Sequence, residues 1–182
     1  MDKRIVFTGS GGQGVITAAI ILAEAAAIYE NLNAVQTQTY GPEARGGATR
    51  ADIIISEKPI RHPKVINPHI LVCLTQEAYN KYARILRPGG LLLTDEKYVE
   101  VDYKVDARQV ALNMYRTVMD KIGKPIVFNI CMLGAVIRLA GLIDPESVIK
   151  VLATKIPPGM IQMNSKALQI GLELAEESMN GL

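Results

Sequence analysis

One glycine-rich turn constrains this chain more than any other feature. In KRIVFTGSGGQGVITAAIILAEAAA, the β-branched and aromatic run Arg4 to Thr8 ends on Gly9 and passes through Gly11, Gly12 and Gly14. It then enters Val15 to Tyr29, where Thr17 and Glu24 are the polar interruptions. A strand, a turn that uses positive φ or close backbone approach, and a helix apolar nearly all round fit an α/β fold whose first helix is covered on more than one side. Its alanines (Ala18, Ala19, Ala23, Ala25, Ala26 and Ala27) allow a neighbour to approach closely.

The rest of the pattern agrees. Ala34 to Tyr40 reads as a second strand, Thr49 to Ser56 as a third, His69 to Thr75 as a buried central strand, and LLLT after Pro88-Gly89-Gly90 as another. Glu77 to Leu86 reads as a helix. Val110, Met114, Val118 and Ile122 recur every four residues and predict an amphipathic helix. An apolar helix follows around Ile130 to Leu139. Asp144-Pro145 opens another helix with an N-cap and a first-position proline, and Asn164 is placed as the cap of a last one, with Leu168, Leu172 and Ala175 on one face. Alternating strands and helices predict a three-layer α/β/α sandwich on a Rossmann-like sheet, largely parallel with room for a mixed arrangement. Residues 1–182 are read as a single domain.

Composition narrows the function classes. The chain is 49% hydrophobic and 21% charged with a formal net charge of +2, and no basic run interleaves with aromatics, so nucleic-acid binding is not expected. PIVFNICMLGAVIRLAGLI is interrupted by Asn129 and Arg138 and is expected to be a buried helix rather than a membrane span. The opening MDKRIVFTG runs straight into a strand, with no signal peptide expected. Cys73 and Cys131 each sit in apolar runs and no CxxC pair exists, so they read as buried thiols in a cytoplasmic protein without a cluster or zinc site of its own. His62 and His69, beside Pro63 and Pro68, read as structural or solvated.

Gly9-Ser10-Gly11-Gly12-Gln13-Gly14 spells G-x-G-x-x-G, and strand–turn–helix context lets amides and a helix N-terminus face an anion. A dinucleotide site also wants an acid at the end of the second strand. Here that strand reads Gln36-Thr37-Gln38-Thr39-Tyr40, with Glu30 before it and Glu43 beyond Gly41-Pro42. A phosphate loop of the GK[ST] type is absent. Three readings stay open: a nucleotide site, a structural turn packing helix on sheet, and a loop that meets another subunit or its cofactor.

The second unusual stretch is TYGPEARGGATRADI, where Pro42 fixes a turn, Glu43 and Arg45 carry opposite charge, and Gly46-Gly47 free the backbone. Two glycine-rich loops at successive strand ends are expected to line one edge of the sheet. FTGSGGQGVITAAIILAEAA, TYGPEARGG, HILVCLTQEAYNKY, NICMLGAVIRLAG and NSKALQIGLELA occur in that order over most of the chain. In these stretches the sequence resembles the gamma subunit of the 2-oxoacid:ferredoxin (acceptor) oxidoreductases, and GPEARGG with LTQEAYNKY is most similar to the 2-oxoglutarate branch.

That resemblance implies a multisubunit enzyme that oxidatively decarboxylates a 2-oxoacid with coenzyme A and reduces ferredoxin. Thiamine pyrophosphate with Mg and the iron–sulfur clusters would lie on the alpha, beta and ferredoxin-like delta subunits. The gamma chain would be accessory, inactive alone, with no catalytic residue, cofactor or metal of its own, and a homodimer when isolated is open. It would place Gly11, Gly12, Gln13, Gly14, Tyr40, Gly41, Pro42, Glu43, Arg45, Gly46 and Gly47 at a subunit contact near the active site or coenzyme A channel. The competing reading is a free-standing nucleotide-binding Rossmann-like oxidoreductase. A gamma-like partner of an indolepyruvate or pyruvate enzyme would change the substrate but not the chemistry.

Overall fold

The computed structural model describes residues 2–39, 48–102 and 104–181. Six strands form one sheet: β1 (Asp2–Ser10), β2 (Asn33–Thr39), β3 (Ala48–Ser56), β4 (Ile70–Cys73), β5 (Gly90–Asp95) and β6 (Ala107–Leu112), in the spatial order β2-β3-β1-β4-β5-β6. The helices are α1 (Val15–Tyr29), α2 (Gln76–Tyr82), α3 (Met114–Lys121), α4 (Phe128–Ala140), α5 (Pro145–Lys155) and α6 (Ile161–Asn180). Side chains alternate across the pleat. Ile5, Phe7, Ile53, Val72 and Leu93 therefore face one core with α1, α3, α4, α5 and α6, while Val6, Ile54, Leu71, Cys73 and Leu92 face a second, smaller core under α2.

The sheet is mixed. β1, β4, β5 and β6 run parallel, but β3 is antiparallel to both β1 and β2. The reason is the short connection between Thr39 and Ala48, which suits an antiparallel pair and is too short for the helical crossover that parallel neighbours need.

Two other expectations change. Val110 belongs to β6, where Val110 and Leu112 are the buried positions of a strand, and the helix begins only at Met114. Asn164 does not cap α6. It lies inside a helix that starts at Ile161, buried, with its Nδ2 donating to the Met160 carbonyl at 2.8 Å. By contrast Asp144 caps α5, its side chain accepting from the Glu146 amide at 2.9 Å ahead of Pro145.

As expected, α1 is covered from several sides: it packs on β1, β2 and β3 and on α4 and α5. Ala18, Ala19, Ala23, Ala25 and Ala26 are buried by the chain itself, so these alanines offer no face for a second copy. Lys155 bonds Glu24 at 2.8 Å, and Glu30 accepts from the Asp144 amide at 3.1 Å and from the Ser147 hydroxyl, tying α5 to α1.

α4 is the central helix of the larger core, and only Arg138 and Ala140 in it are not buried. It crosses α6 on two glycines. A Cβ on Gly134 would collide with the Leu168 carbonyl, and one on Gly171 would collide with the Cys131 carbonyl and lie 2.8 Å from the Ala135 nitrogen. Backbone meets backbone there, so no rotamer change relieves an added methyl. Gly171→Ala is expected to cost about 2–3 kcal/mol as an overpacked core and to lower Tm by about 5–10 °C. Gly159→Ala, whose Cβ meets nothing within 4 Å, should leave Tm near wild type by scanning calorimetry.

Candidate functional site: the glycine edge

The glycine turn leaves the carboxyl end of β1, between β3 and β4, where the chain first switches from one side of the sheet to the other. Gly12 and Gly14 have φ of +89° and +73°, the region in which residues with a Cβ are strained. The geometry divides the motif into two halves with different work.

Gln13 and Gly14 hold the turn together. Gln13 Oε1 accepts from the Ser10 amide at 2.8 Å, while its Nε2 donates to the Leu74 carbonyl, just past β4, at 3.3 Å. The side chain thus bridges the β1–β4 seam and fills the space over Gly9, whose Cβ would sit 2.5 Å from Gln13 Oε1. Gly14 packs against α4: a Cβ there would lie 2.6 Å from Asn129 Nδ2, which instead donates to the Gly14 carbonyl at 3.2 Å. The same carbonyl accepts from Ala18 at 3.0 Å and starts α1.

Gly11 and Gly12 point outward. Both are exposed, and nothing lies within 4 Å of a Cβ built on either. They form one wall of a cleft of about 740 Å³. Val15 and Ile16 of α1, Ile126 and Asn129 at the entry to α4, and Met160 ahead of α6 also line it. Ile126 is 67% exposed at its mouth, whereas Asn129 is only 6% exposed and its Oδ1 has no hydrogen-bond partner. The cleft therefore joins glycine backbone, apolar walls and the start of a 15-residue helix whose dipole favours negative charge.

The second half of the expected edge, Tyr40, Gly41, Pro42, Glu43, Arg45, Gly46 and Gly47, lies outside the described residues. Its flanks are placed: β2 ends at Thr39 and β3 begins at Ala48, opposite Ser10 in the register. The glycine turn and these two strand ends therefore share one edge. Arg50, next along β3, is held by Asp52 at 2.6 and 2.9 Å and donates to the Val65 carbonyl, so it faces inward as a structural cation.

Two ionisable groups elsewhere at strand ends are structural. Asp95, fully buried at the end of β5, accepts from the Lys97 amide at 3.0 Å and the Tyr115 amide at 2.8 Å, so its oxygens cap a turn and the start of α3. Burial nevertheless raises its pKa above the ordinary carboxylate range. His69 Nδ1 accepts from the Arg4 amide at 3.1 Å, locking β4 to β1. Among the described residues no group of three His, Cys, Asp or Glu is arranged to hold a metal ion, and no helix is long and apolar enough to cross a membrane.

Residues 4–174 match the pyruvate ferredoxin/flavodoxin oxidoreductase family. The chain belongs to that family. Within it, the chain is 46% identical over 179 residues to the 2-oxoglutarate synthase subunit KorC of Methanocaldococcus jannaschii, covering 97% of this chain and 96% of that one. It is 41% identical over 183 residues to KorC of Methanothermobacter marburgensis, covering 97% and 98%. Among solved structures of the family, the gamma subunit of a keto/oxoacid ferredoxin oxidoreductase from Geobacter sulfurreducens superposes with a TM-score of 0.89 at 39% identity, covering 97% and 98% of the two chains.

Two of the cleft's residues, Asn129 and Ile126, were not among the expected site residues. Their signal was an amide inside an otherwise apolar helical run and a large aliphatic just after a proline. Both read as ordinary until α4 is placed against the glycine turn.

Two tests follow from this geometry. Gln13→Ala leaves the Ser10 amide and the Leu74 carbonyl without partners and is expected to cost about 1–3 kcal/mol in urea denaturation. Burial pushes the thiols of Cys73 and Cys131 up to about 12. At pH 8 neither is therefore a thiolate, and iodoacetamide should label them only after denaturant is added, as read by intact mass.

Proposed function

We propose that this chain is the gamma subunit of a 2-oxoglutarate:ferredoxin oxidoreductase complex, in which 2-oxoglutarate and coenzyme A become succinyl-coenzyme A and carbon dioxide while ferredoxin is reduced. The observation that carries the reading is the 46% identity, over nearly the full length of both chains, to a 2-oxoglutarate synthase subunit. The chain works in the cytoplasm as a single accessory domain. Thiamine pyrophosphate with Mg and the iron–sulfur clusters belong to the alpha, beta and ferredoxin-like delta subunits. Its own two cysteines are buried protonated thiols far apart in sequence, which does not suit cluster ligation.

In this reading the glycine edge meets the thiamine-binding subunits close to their active site or the coenzyme A channel. Exposed backbone at Gly11 and Gly12 permits an approach no side chain would allow. The N-terminus of α1 favours a carboxylate or phosphate there. Arg45, with its planar guanidinium, would grip such a group bidentately. Tyr40, Gly41, Pro42, Glu43, Gly46 and Gly47 would complete the contact.

The alternative, a free-standing dinucleotide-binding oxidoreductase, has less support. β2, the strand that would carry the ribose-binding acid, has no Asp or Glu from Asn33 to Thr39 and is separated from β1 by the antiparallel β3. Glu30 is already bound to the start of α5, and Gln13 occupies the crevice beside β1.

Gly11→Trp tests the reading cleanly, since its Cβ meets nothing and its φ is not in the left-handed region. The variant is expected to fold with an unchanged circular dichroism spectrum and Tm, yet to reduce co-purification with the thiamine-binding subunits or their coenzyme A-dependent ferredoxin reduction by tenfold or more, about 1.4 kcal/mol. Arg45→Ala should weaken assembly or raise the KM for coenzyme A without unfolding the chain. Full assembly and unchanged kinetics in both variants would sink the proposed contact.

A further inference from the structure

At the opposite edge of the sheet, where the parallel strands begin, the structure gathers three cations that make no ion pair among the described residues. Lys3 of β1 and Arg108 of β6 lie on the same face of the sheet as Ile5, Ile70 and Leu91, because side chains two residues apart share a face and the register pairs Ile5 with Ile70, Ile70 with Leu91, and Leu91 with Arg108. Arg87 enters from the turn before β5. The three border one concavity of about 340 Å³ with His69, Gly89 and the end of α4. Arg87 and Arg108 are exposed and Lys3 half-buried, and none of the three makes an ion pair among the described residues.

The cations act on a common space. Burial lowers the proton affinity of His69 most, Arg87, Lys3 and Arg4 lower it further, and the opposing charge it senses comes from Asp2. On the other face of β1, Arg4 Nε is buried without a hydrogen-bond partner. The carbonyl end of α4, which closes one side of the concavity, supplies only roughly half a negative charge.

The amides of the turn are unavailable to a small anion. Arg87 N–H donates to the Pro68 carbonyl, Gly89 N–H to Asp106, Gly90 N–H to Arg87 and Leu91 N–H to His69. Free amides at helix N-termini and backbone nests hold small anions tightly, whereas this edge presents only side chains, exposed at Arg87 and Arg108 and half-buried at Lys3. Such an array is suited to carboxylates spread over a protein surface, where it steers encounter and fixes orientation.

We propose that Lys3, Arg87 and Arg108 form a docking edge for an Asp/Glu-rich surface of a partner protein, distinct from the glycine edge at the other end of the sheet. The inference uses the subunit reading above only in that the partner is sought in the assembled complex. The purified complex is treated with a carbodiimide, which joins an amine to a carboxylate in direct contact, and cross-links are mapped by mass spectrometry. In parallel the charge-reversed chain, K3E/R87E/R108E, is compared with wild type for partner retention as salt is raised from 50 to 300 mM.

The expected result is a Lys3 cross-link to an Asp or Glu of another chain. With it should come at least tenfold weaker retention by the reversed chain at low salt, and a difference that shrinks as salt screens the contact. All three substitutions lie on exposed or half-buried side chains, and a Tm within about 2 °C of wild type verifies folding. A complex that assembles with wild type and the reversed chain equally, with Lys3 cross-linked only within its own chain, overturns this inference and leaves the subunit reading standing. A wild-type chain that retains no partner overturns both.

Discussion

The site rests on how α4 is held. Its backbone lies directly against that of α6 at Gly134 and Gly171, and its first turn reaches the glycine loop through Asn129 and the Gly14 carbonyl. Glycine inside a helix costs roughly 1 kcal/mol relative to alanine. Here that cost is offset by close approach, which buries nearly the whole of α4 and removes its freedom to shift. A helix fixed in this way fixes the loop it touches, so the position of Gly11 and Gly12 follows from a crossing on the far side of the core.

This arrangement separates two kinds of work within one short motif. Gln13 and Gly14 are turned inward and satisfy the backbone around the β1–β4 seam, whereas Gly11 and Gly12 are left with open space before them. A G-x-G-x-x-G spelling is therefore compatible with a turn whose polar side chain fills the crevice a dinucleotide would otherwise use. The antiparallel β3 reinforces the difference by displacing β2 from β1. What the fold offers outward is an edge of exposed backbone beside apolar walls.

Much of the fold was legible because its elements are short, apolar and punctuated. β1, α1, β4, β5, α4 and α5 carry clear periodicity or capping, and Asp144-Pro145 behaves as its chemistry dictates. β6 was hidden because Val110 stands four residues before Met114, a coincidence that merges the inward face of a strand with the buried stripe of the next helix. Asn164 mimicked a cap because an amide that bonds backbone looks alike in composition whether it starts a helix or sits four residues inside one. The direction of β3 was not readable from Ile53-Ile54-Ile55, since β-branched residues suit either orientation; the length of the connection settles it.

By itself, the sequence determined the α/β class, the strand–glycine–helix turn, the two buried cysteines and the family. Each follows from local rules: where φ must be positive, where apolar residues recur, which residue types occur in order. Only the tertiary structure decided that Gln13 bridges the Ser10 amide and the Leu74 carbonyl, that Asn129 and Ile126 border the cleft, and that three cations distant in sequence meet at one sheet edge. Those depend on strand order and helix crossing, which bring together residues as distant as Gly14 and Asn129, 115 positions apart, and no local pattern along the chain encodes which ones will meet.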